Sequence, residues 1–392
     1  MVEILAWLLA VPPAFALAVY SLEVLIGLPR MHGNLRAAPP RSAAILVPAH
    51  DEAVTIGETV RELLAIAGPE TRLLVVADNC TDDTAEIARR AGASVVERMD
   101  TQKRGKGYAL ACGRDYLATD PPDVVMVMDA DCRTDRQSFE RLISSASFMN
   151  SPVQASNLLT APPHAAPVVH ISNFAMLIKN SVRARGLYRL GGGIPLFGTG
   201  MAFPWSIFHE APLASADVVE DLRLSLDLAS QGVAVHLIEN ARVTSASAAA
   251  GDTVAQRRRW EHGFLRVAAK YALPQLLRGI TRLSPHQAAL GLHLCVPPLA
   301  LLLLVGIAAA FATILIGMVS GYWAPSWTML SALAVALSAT LVAWMKEGRR
   351  VLPAAALVRV PFYVLQKIPL YLALLTSRQA SWNRTPRGDD RP

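Results

Sequence analysis

Asp129 and Asp131 stand two residues apart directly after the apolar run 124–128, so a pair of carboxylates leaves the end of a candidate strand. Such a pair presents oxygen to a hard divalent ion such as Mg2+ or Mn2+, which keeps waters and is commonly shared with substrate phosphates. Carboxylates also follow two other candidate strands, as Pro48-Ala49-His50-Asp51-Glu52 and as Asp78-Asn79. An Asp after a strand also serves as a turn former or helix cap, and Thr81 or Asp82 suits the cap of the next helix. Three at equivalent ends of one sheet are a different matter, because a shared rim of negative charge is costly unless a cation or polar ligand occupies it. Lys106, in Arg104-Gly105-Lys106-Gly107, is either a solvated loop lysine or a cation reaching phosphates at that rim. No GxxxxGK[ST] loop and no GxGxxG fingerprint follows a strand, which disfavours P-loop and dinucleotide chemistry and leaves any phosphate chemistry metal-led.

Farther along, Gly198-Thr199-Gly200 precedes Glu220-Asp221, where a leucine-rich helix begins. Two acids at a helix N-terminus favour the macrodipole. They also suit a general base, since a hydroxyl nucleophile needs a carboxylate separate from those holding a metal. Gln256-Arg257-Arg258-Arg259-Trp260 opens the densest basic cluster, continued by Arg266, Lys270, Arg278 and Arg282 among Phe264, Leu265, Val267, Tyr271, Leu276, Leu277 and Ile280. That pattern predicts an amphipathic basic helix or helix pair lying on the anionic lipid of a leaflet. Within it, Arg259 suits pairing with a diphosphate, and Trp260 offers a flat face to a sugar ring or base.

The elements that must position these groups alternate in type. Short β-rich runs at 43–48, 73–77, 94–97, 124–128, 153–158 and 233–238 are interleaved with helical stretches at 55–67, 82–91 and 105–117. The alternation predicts an α/β layer structure with a mostly parallel sheet, which binds ligands outside the carboxyl ends of its strands. The whole chain has 392 residues, 53% hydrophobic and 17% charged, with a mean hydropathy of +0.34. Those values exclude disorder, a fibrous repeat and a small disulfide scaffold, and they imply that part of the chain has lipid as solvent.

Residues 283–345 contain no Lys, Arg, Asp or Glu, room for two spans: one from the Pro297-Pro298 break to about 320, one at 328–345. Tyr322, Trp323 and Trp327 between them suit an interfacial turn. A third span is expected at 4–28; its first following basic residue is Arg30, so it is a retained anchor rather than a signal peptide. Arg30, Arg36 and Arg41, with Lys346, Arg349 and Arg350, put both flanks in the cytoplasm. The stretch 352–376, with Arg359, Lys367 and three prolines, is expected to be interfacial or re-entrant, followed by a basic tail with Arg378, Arg384, Arg387 and Arg391. A net charge of +6 without a basic, aromatic-interleaved stripe argues against nucleic acid. Four cysteines without metal-ligand spacing suit a reducing compartment.

Taken in order, the Val47-Pro48 strand end with Glu52, Asp78, Lys106, Asp129-Ala130-Asp131, Glu220-Asp221 and Gln256-Arg257-Arg258-Arg259-Trp260 resemble the membrane-bound family 2 glycosyltransferases. This group has the GT-A fold and includes cellulose, chitin and hyaluronan synthases and ceramide glucosyltransferase. The resemblance implies that Pro48, Glu52 and Asp78 hold a uridine, Lys106 the diphosphate, and Asp129 with Asp131 the nucleotide and its Mg2+ or Mn2+. It makes Asp221 the catalytic base, with Glu220 beside it. It also places Gly198, Thr199 and the QxxRW residues Gln256, Arg259 and Trp260 near acceptor and diphosphate. The implied reaction is inverting transfer of a hexose or N-acetylhexosamine from a UDP-sugar to a lipid-linked or glycan acceptor. Polymer-secreting relatives have more spans than the three clear ones here, so a processive synthase is the second reading and an inert nucleotide-binding scaffold the third. A transporter is disfavoured because the run 283–345 offers almost no intramembrane polar residues. The expected organisation is an anchor (1–29), a cytosolic GT-A domain (30–255), interfacial helices (256–284), two spans (285–346) and the C-terminal segment (347–392). The expected location is a bacterial inner membrane, with anionic lipids as partners.

Overall fold

The computed structural model describes residues 2–31, 38–247 and 250–376; Arg36 and the basic tail lie outside them. Among the described residues there are two compact units, one containing residues 38–160 and 192–264, the other containing residues 2–29, 161–191 and 265–376.

The first unit is built on one eight-stranded sheet. Its strands are β1 (Ala43–Ala49), β2 (Thr71–Asp78), β3 (Ser94–Arg98), β4 (Val124–Val127), β5 (Cys132–Thr134), β6 (Val153–Thr160), β7 (Met201–Pro204) and β8 (His236–Ala246), in the order β3-β2-β1-β4-β7-β6-β8-β5. The β1–β2, β1–β4, β2–β3 and β6–β8 pairings are parallel, and the three made by β7 and β5 are antiparallel. The expected mostly parallel α/β sheet is therefore present as a mixed sheet with flanking helices. Its central strands are apolar on both faces, with Ile45, Leu46, Val47, Val75, Val76 and Val124 through Val127 wholly buried, as a sheet covered on both sides requires. The sequence pattern missed β5 and β7, which are too short to show a period of two. It also stopped β8 at 238, whereas the strand runs to Ala246 through an irregularity at which Ala155 opposes Ile238 but Ser156 opposes Arg242.

Helices Ile56–Ile66, Thr84–Arg90, Lys106–Leu117 and Arg136–Met149 lie where the 3.6-residue pattern predicts or connect the added strands. Asp135 caps the last of these, accepting the Ser138 N–H at 2.7 Å. Gly113 lets helix Lys106–Leu117 lie flat on the sheet: a Cβ there would come within 2.4 Å of Leu46 Cδ1. That close seat sets the height of Lys106 above the strand ends.

In the second unit, three helices are long and apolar enough to cross a membrane, Val2–Gly27, Leu299–Ser320 and Ala324–Gly348. Residues 352–376 instead contain the short helices Ala354–Leu357, Val360–Gln366 and Ile368–Thr376, each below the ~20 residues a crossing needs. Glu23, a charge near the end of the first apolar helix, is buried and paired: Arg183 Nε donates to it at 2.6 Å and His293 Nδ1 lies 2.9 Å from its other oxygen. The pairing is possible because two backbones touch, a Cβ at Gly27 falling 1.9 Å from Val182 O and one at Gly186 falling 1.9 Å from Glu23 O.

Candidate active site

A connected polar cluster of the first unit centres on Lys106. Its ammonium donates to Asp129 Oδ1 at 2.5 Å and to the Gly198 carbonyl at 2.6 Å, and lies 3.9 Å from Glu220 Oε1. The Asp129 N–H donates to Thr199 Oγ1 at 3.1 Å. Gly198 has φ of +84°, and a Cβ there would lie 3.3 Å from Asp221 Oδ2 and 3.6 Å from Lys106 Nζ. Any side chain at 198 would therefore enter the gap between the ammonium and Asp221, besides straining the backbone. Gly107 does a similar service one turn away: a Cβ would fall 2.4 Å from Leu213 O and 2.7 Å from Ser215 O. This contact seats the loop leading to Glu220 and Asp221 on the first turn of the Lys106 helix.

Electrostatics singles out Glu220. Burial pushes the Glu220 carboxyl up to about 8; Lys106 opposes this, while the Asp221 and Asp129 charges add to it. Burial thus favours the protonated form of Glu220. For Lys106, burial pulls the pKa down, but the Asp129 and Glu220 carboxylates outweigh it and hold the group above the ordinary lysine value. Half-buried Arg259 lies in the same field: burial lowers its pKa and the Glu220 charge opposes that lowering. Asp221 sits in the first turn of helix Glu220–Ser230 and accepts the Leu222 N–H at 2.7 Å.

Ligand atoms of Asp129, Asp131 and Cys132 lie within 4.8 Å of one another. Cys132 is buried, and burial raises its thiol well above the usual range. The two carboxylates of this group suit a hard oxygen-seeking ion such as Mg2+ or Mn2+.

The residues expected around a uridine form a separate group. Asp78 is buried at the end of β2 and accepts from Arg98 Nη1 at 2.6 Å and Asn79 Nδ2 at 3.0 Å. Arg98 also reaches Asp100 at 3.1 Å and lies over the Tyr108 ring. Glu52 is held in a turn, its N–H donating to Thr84 Oγ1 at 2.7 Å and its carboxylate accepting from Thr55 Oγ1 at 3.0 Å. Pro48 is half-buried in β1 opposite Val76. Asp51 and Asn79, each at φ of +53°, turn the chain sharply after β1 and β2; Asp and Asn tolerate this conformation better than other residues with a Cβ.

The structure thus brings Lys106, Asp129, Asp131, Gly198, Thr199, Glu220 and Asp221 together, with Arg259 electrostatically linked to Glu220. Gln256, Arg259 and Trp260 share a helix face by their spacing. Gln256 is half-buried, and one face of Trp260 is covered by the Arg257 guanidinium, 4.9 Å from the ring centroid. Arg98 went unnoticed in the sequence because β3 was expected to end at 97. One more residue would have placed it on the same rim as Asp78.

Residues 39–263, more than half of the chain, match the family described as glycosyltransferase-like family 2. A probable glycosyltransferase of Bacillus subtilis (strain 168), YdaM, is 28% identical over 124 residues, spanning 30% of this chain and 28% of that relative's length. Among solved structures, the mannosyltransferase PcManGT from Pyrobaculum calidifontis, in complex with GDP-Man and Mn2+, superposes with a TM-score of 0.55 at 20% identity. It covers 88% of this chain and 100% of its own, and the likeness is one of fold. Glucosyl-3-phosphoglycerate synthase from Mycobacterium tuberculosis, in complex with Mn2+, UDP and phosphoglyceric acid, matches 58% of this chain and 78% of its own at 20% identity, with a TM-score of 0.41. With a sheet of GT-A type and a family match across it, this chain belongs to the family 2 glycosyltransferases.

Proposed function

We propose that the protein is an inverting glycosyltransferase that moves a hexose or N-acetylhexosamine from a UDP-sugar to a lipid-linked or glycan acceptor at the cytosolic membrane face, giving a β-linked product. The observation that carries this reading is the Lys106 cluster, in which one charged ammonium joins Asp129, the Gly198 carbonyl and Glu220 with Asp221 alongside. The acceptor oxygen attacks the anomeric carbon as the bond to the diphosphate breaks. The acceptor proton passes to Asp221, the general base. The bonding electron pair leaves with the nucleotide, and Lys106 stabilises the negative charge that gathers there. Protonated Glu220 spares the incoming diphosphate a further repulsive charge. Mg2+ or Mn2+, held by Asp129 and Asp131, would neutralise diphosphate charge. Asp78, Glu52 and Pro48 are assigned to the nucleoside, and Gln256, Arg259 and Trp260 to the acceptor and diphosphate.

The membrane reading rests on the three apolar helices and on one exposed stripe. Leu273, Leu277, Ile280 and Leu283 are exposed beside exposed Arg266, Lys270, Arg278 and Arg282, a composition suited to anionic lipid. A donor panel of UDP-glucose, UDP-galactose, UDP-N-acetylglucosamine and GDP-mannose, incubated with the protein, Mn2+ and membrane lipids, tests the reaction. A UDP-sugar should release nucleotide, and Asp221→Asn should abolish release while still binding UDP. Wild-type release by that variant would remove Asp221 from its role, and release from GDP-mannose alone would overturn the donor assignment.

A further inference from the structure

Gln154 lies in β6, fully buried, with every polar atom of its carboxamide turned to the loop before β7. Its Oε1 accepts the Phe197 N–H at 2.8 Å, and its Nε2 donates to Thr199 O at 2.9 Å, to Ala155 O at 2.9 Å and to Gly200 O at 3.3 Å. The loop it grips carries the Gly198 carbonyl that receives Lys106 and the Thr199 hydroxyl that receives the Asp129 N–H. A second grip comes from the other side. Ser225 Oγ accepts the Leu196 N–H at 2.7 Å and donates to the Asp221 carbonyl at 2.7 Å, tying the same loop to the helix that bears the base.

Loops with two residues at positive φ, here Gly198 and Gly200, have little intrinsic preference for one shape, so the shape has to be imposed. Only a carboxamide offers, on one planar group, an acceptor for Phe197 N–H and a donor pair for the carbonyls that follow. The arrangement fixes which amide atom is oxygen. The geometry points to Gln154 as a positioning residue for glycosyl transfer: from beneath the loop, it sets the distance between the Lys106 ammonium and the Asp221 carboxylate. It touches no reacting atom. It acts through Gly198 and Thr199, and the inference rests on the reaction proposed above.

The test uses the full chain and the variants Gln154→Leu and Gln154→Glu. Calorimetry with UDP and Mn2+ counts intact nucleotide sites, and nucleotide release from the UDP-sugar that the wild type turns over gives kcat and KM. Gln154→Leu should keep one UDP site per chain, while kcat per site falls by about 100-fold, the cost of a displacement near 1 Å. Gln154→Glu keeps the acceptor for Phe197 but sets an oxygen against the Thr199, Ala155 and Gly200 carbonyls, and should also lower kcat per site. A residue important only for folding would lower the number of UDP sites and leave kcat per site untouched; that result overturns the inference. Should Gln154→Leu not fold, wild-type kcat per site in Gln154→Glu overturns it alone. Asp221→Asn in parallel separates the two ideas: if that variant is silent while Gln154→Leu is fully active, the reaction stands and the positioning role falls.

Discussion

Glu220→Gln replaces a carboxyl by an amide of the same shape beside Lys106, Asp221 and Asp129, and its consequences depend on pH in a direction that can be worked out. In the folded chain burial raises the Glu220 pKa from 4.5 to about 8, so the folded state binds this proton more tightly than the unfolded state does. The stability associated with the protonated group is complete below 4.5 and is lost as pH rises through 8. At about 1.4 kcal/mol per pH unit, the gap bounds the loss at about 5 kcal/mol. The side chain is 15% exposed and Lys106 can approach it, so about 2–3 kcal/mol is the more realistic size. The Gln variant has no such loss. Its melting temperature relative to wild type should therefore climb steadily between pH 5 and pH 9, by several degrees. Catalysis should follow the same ionisation: a second carboxylate beside Asp221 repels an anionic donor, so wild-type kcat/KM should fall above pH 8 and the variant should lack that limb. Melting curves that keep a constant offset across this range, with an unchanged alkaline limb, would refute the reasoning.

Two other outcomes follow from the same geometry. Asp131→Asn removes one of the two carboxylates proposed to hold the ion while leaving the Lys106–Asp129 pair, so half-maximal activity should need at least ~10-fold more Mn2+, with melting without metal nearly unchanged; an unaltered Mn2+ titration would exclude Asp131 as a ligand. Replacing Arg266, Lys270, Arg278 and Arg282 together by Gln removes four exposed charges, each worth about 1 kcal/mol near an anionic surface. Activity in nanodiscs should then lose any advantage of phosphatidylglycerol over phosphatidylcholine, and a preserved advantage would place the lipid-sensing surface elsewhere.

Much of the site could be read from the chain alone because its signals are local. A strand ending in Asp129-Ala130-Asp131, a lysine between glycines and a Glu-Asp pair opening a helix are each complete within a few residues. The three apolar helices were equally legible from their length and charge depletion. Strands β5 and β7 were not, since three and four residues hold no period, and neither was the antiparallel insertion of β7 between β4 and β6. Gln154 and Ser225 look unremarkable in sequence, one a polar residue in a strand and one a serine in a helix. Their importance comes from the loop each meets across a separation of tens of residues, 43 from Gln154 to Phe197 and 29 from Ser225 to Leu196.

The amino-acid sequence by itself determined the layer class, the apolar helices and the residue types available for metal, phosphate and proton chemistry, because hydrophobic period and turn chemistry act between near neighbours. Only the tertiary structure decided which of those groups share a field. Lys106 meets Gly198 across 92 positions and Asp129 across 23. Burial then raises the Glu220 carboxyl above the ordinary carboxylate range, a difference from the same residue in a free chain. Water exclusion and distance set that difference, and both are properties of the folded surroundings rather than of the residues.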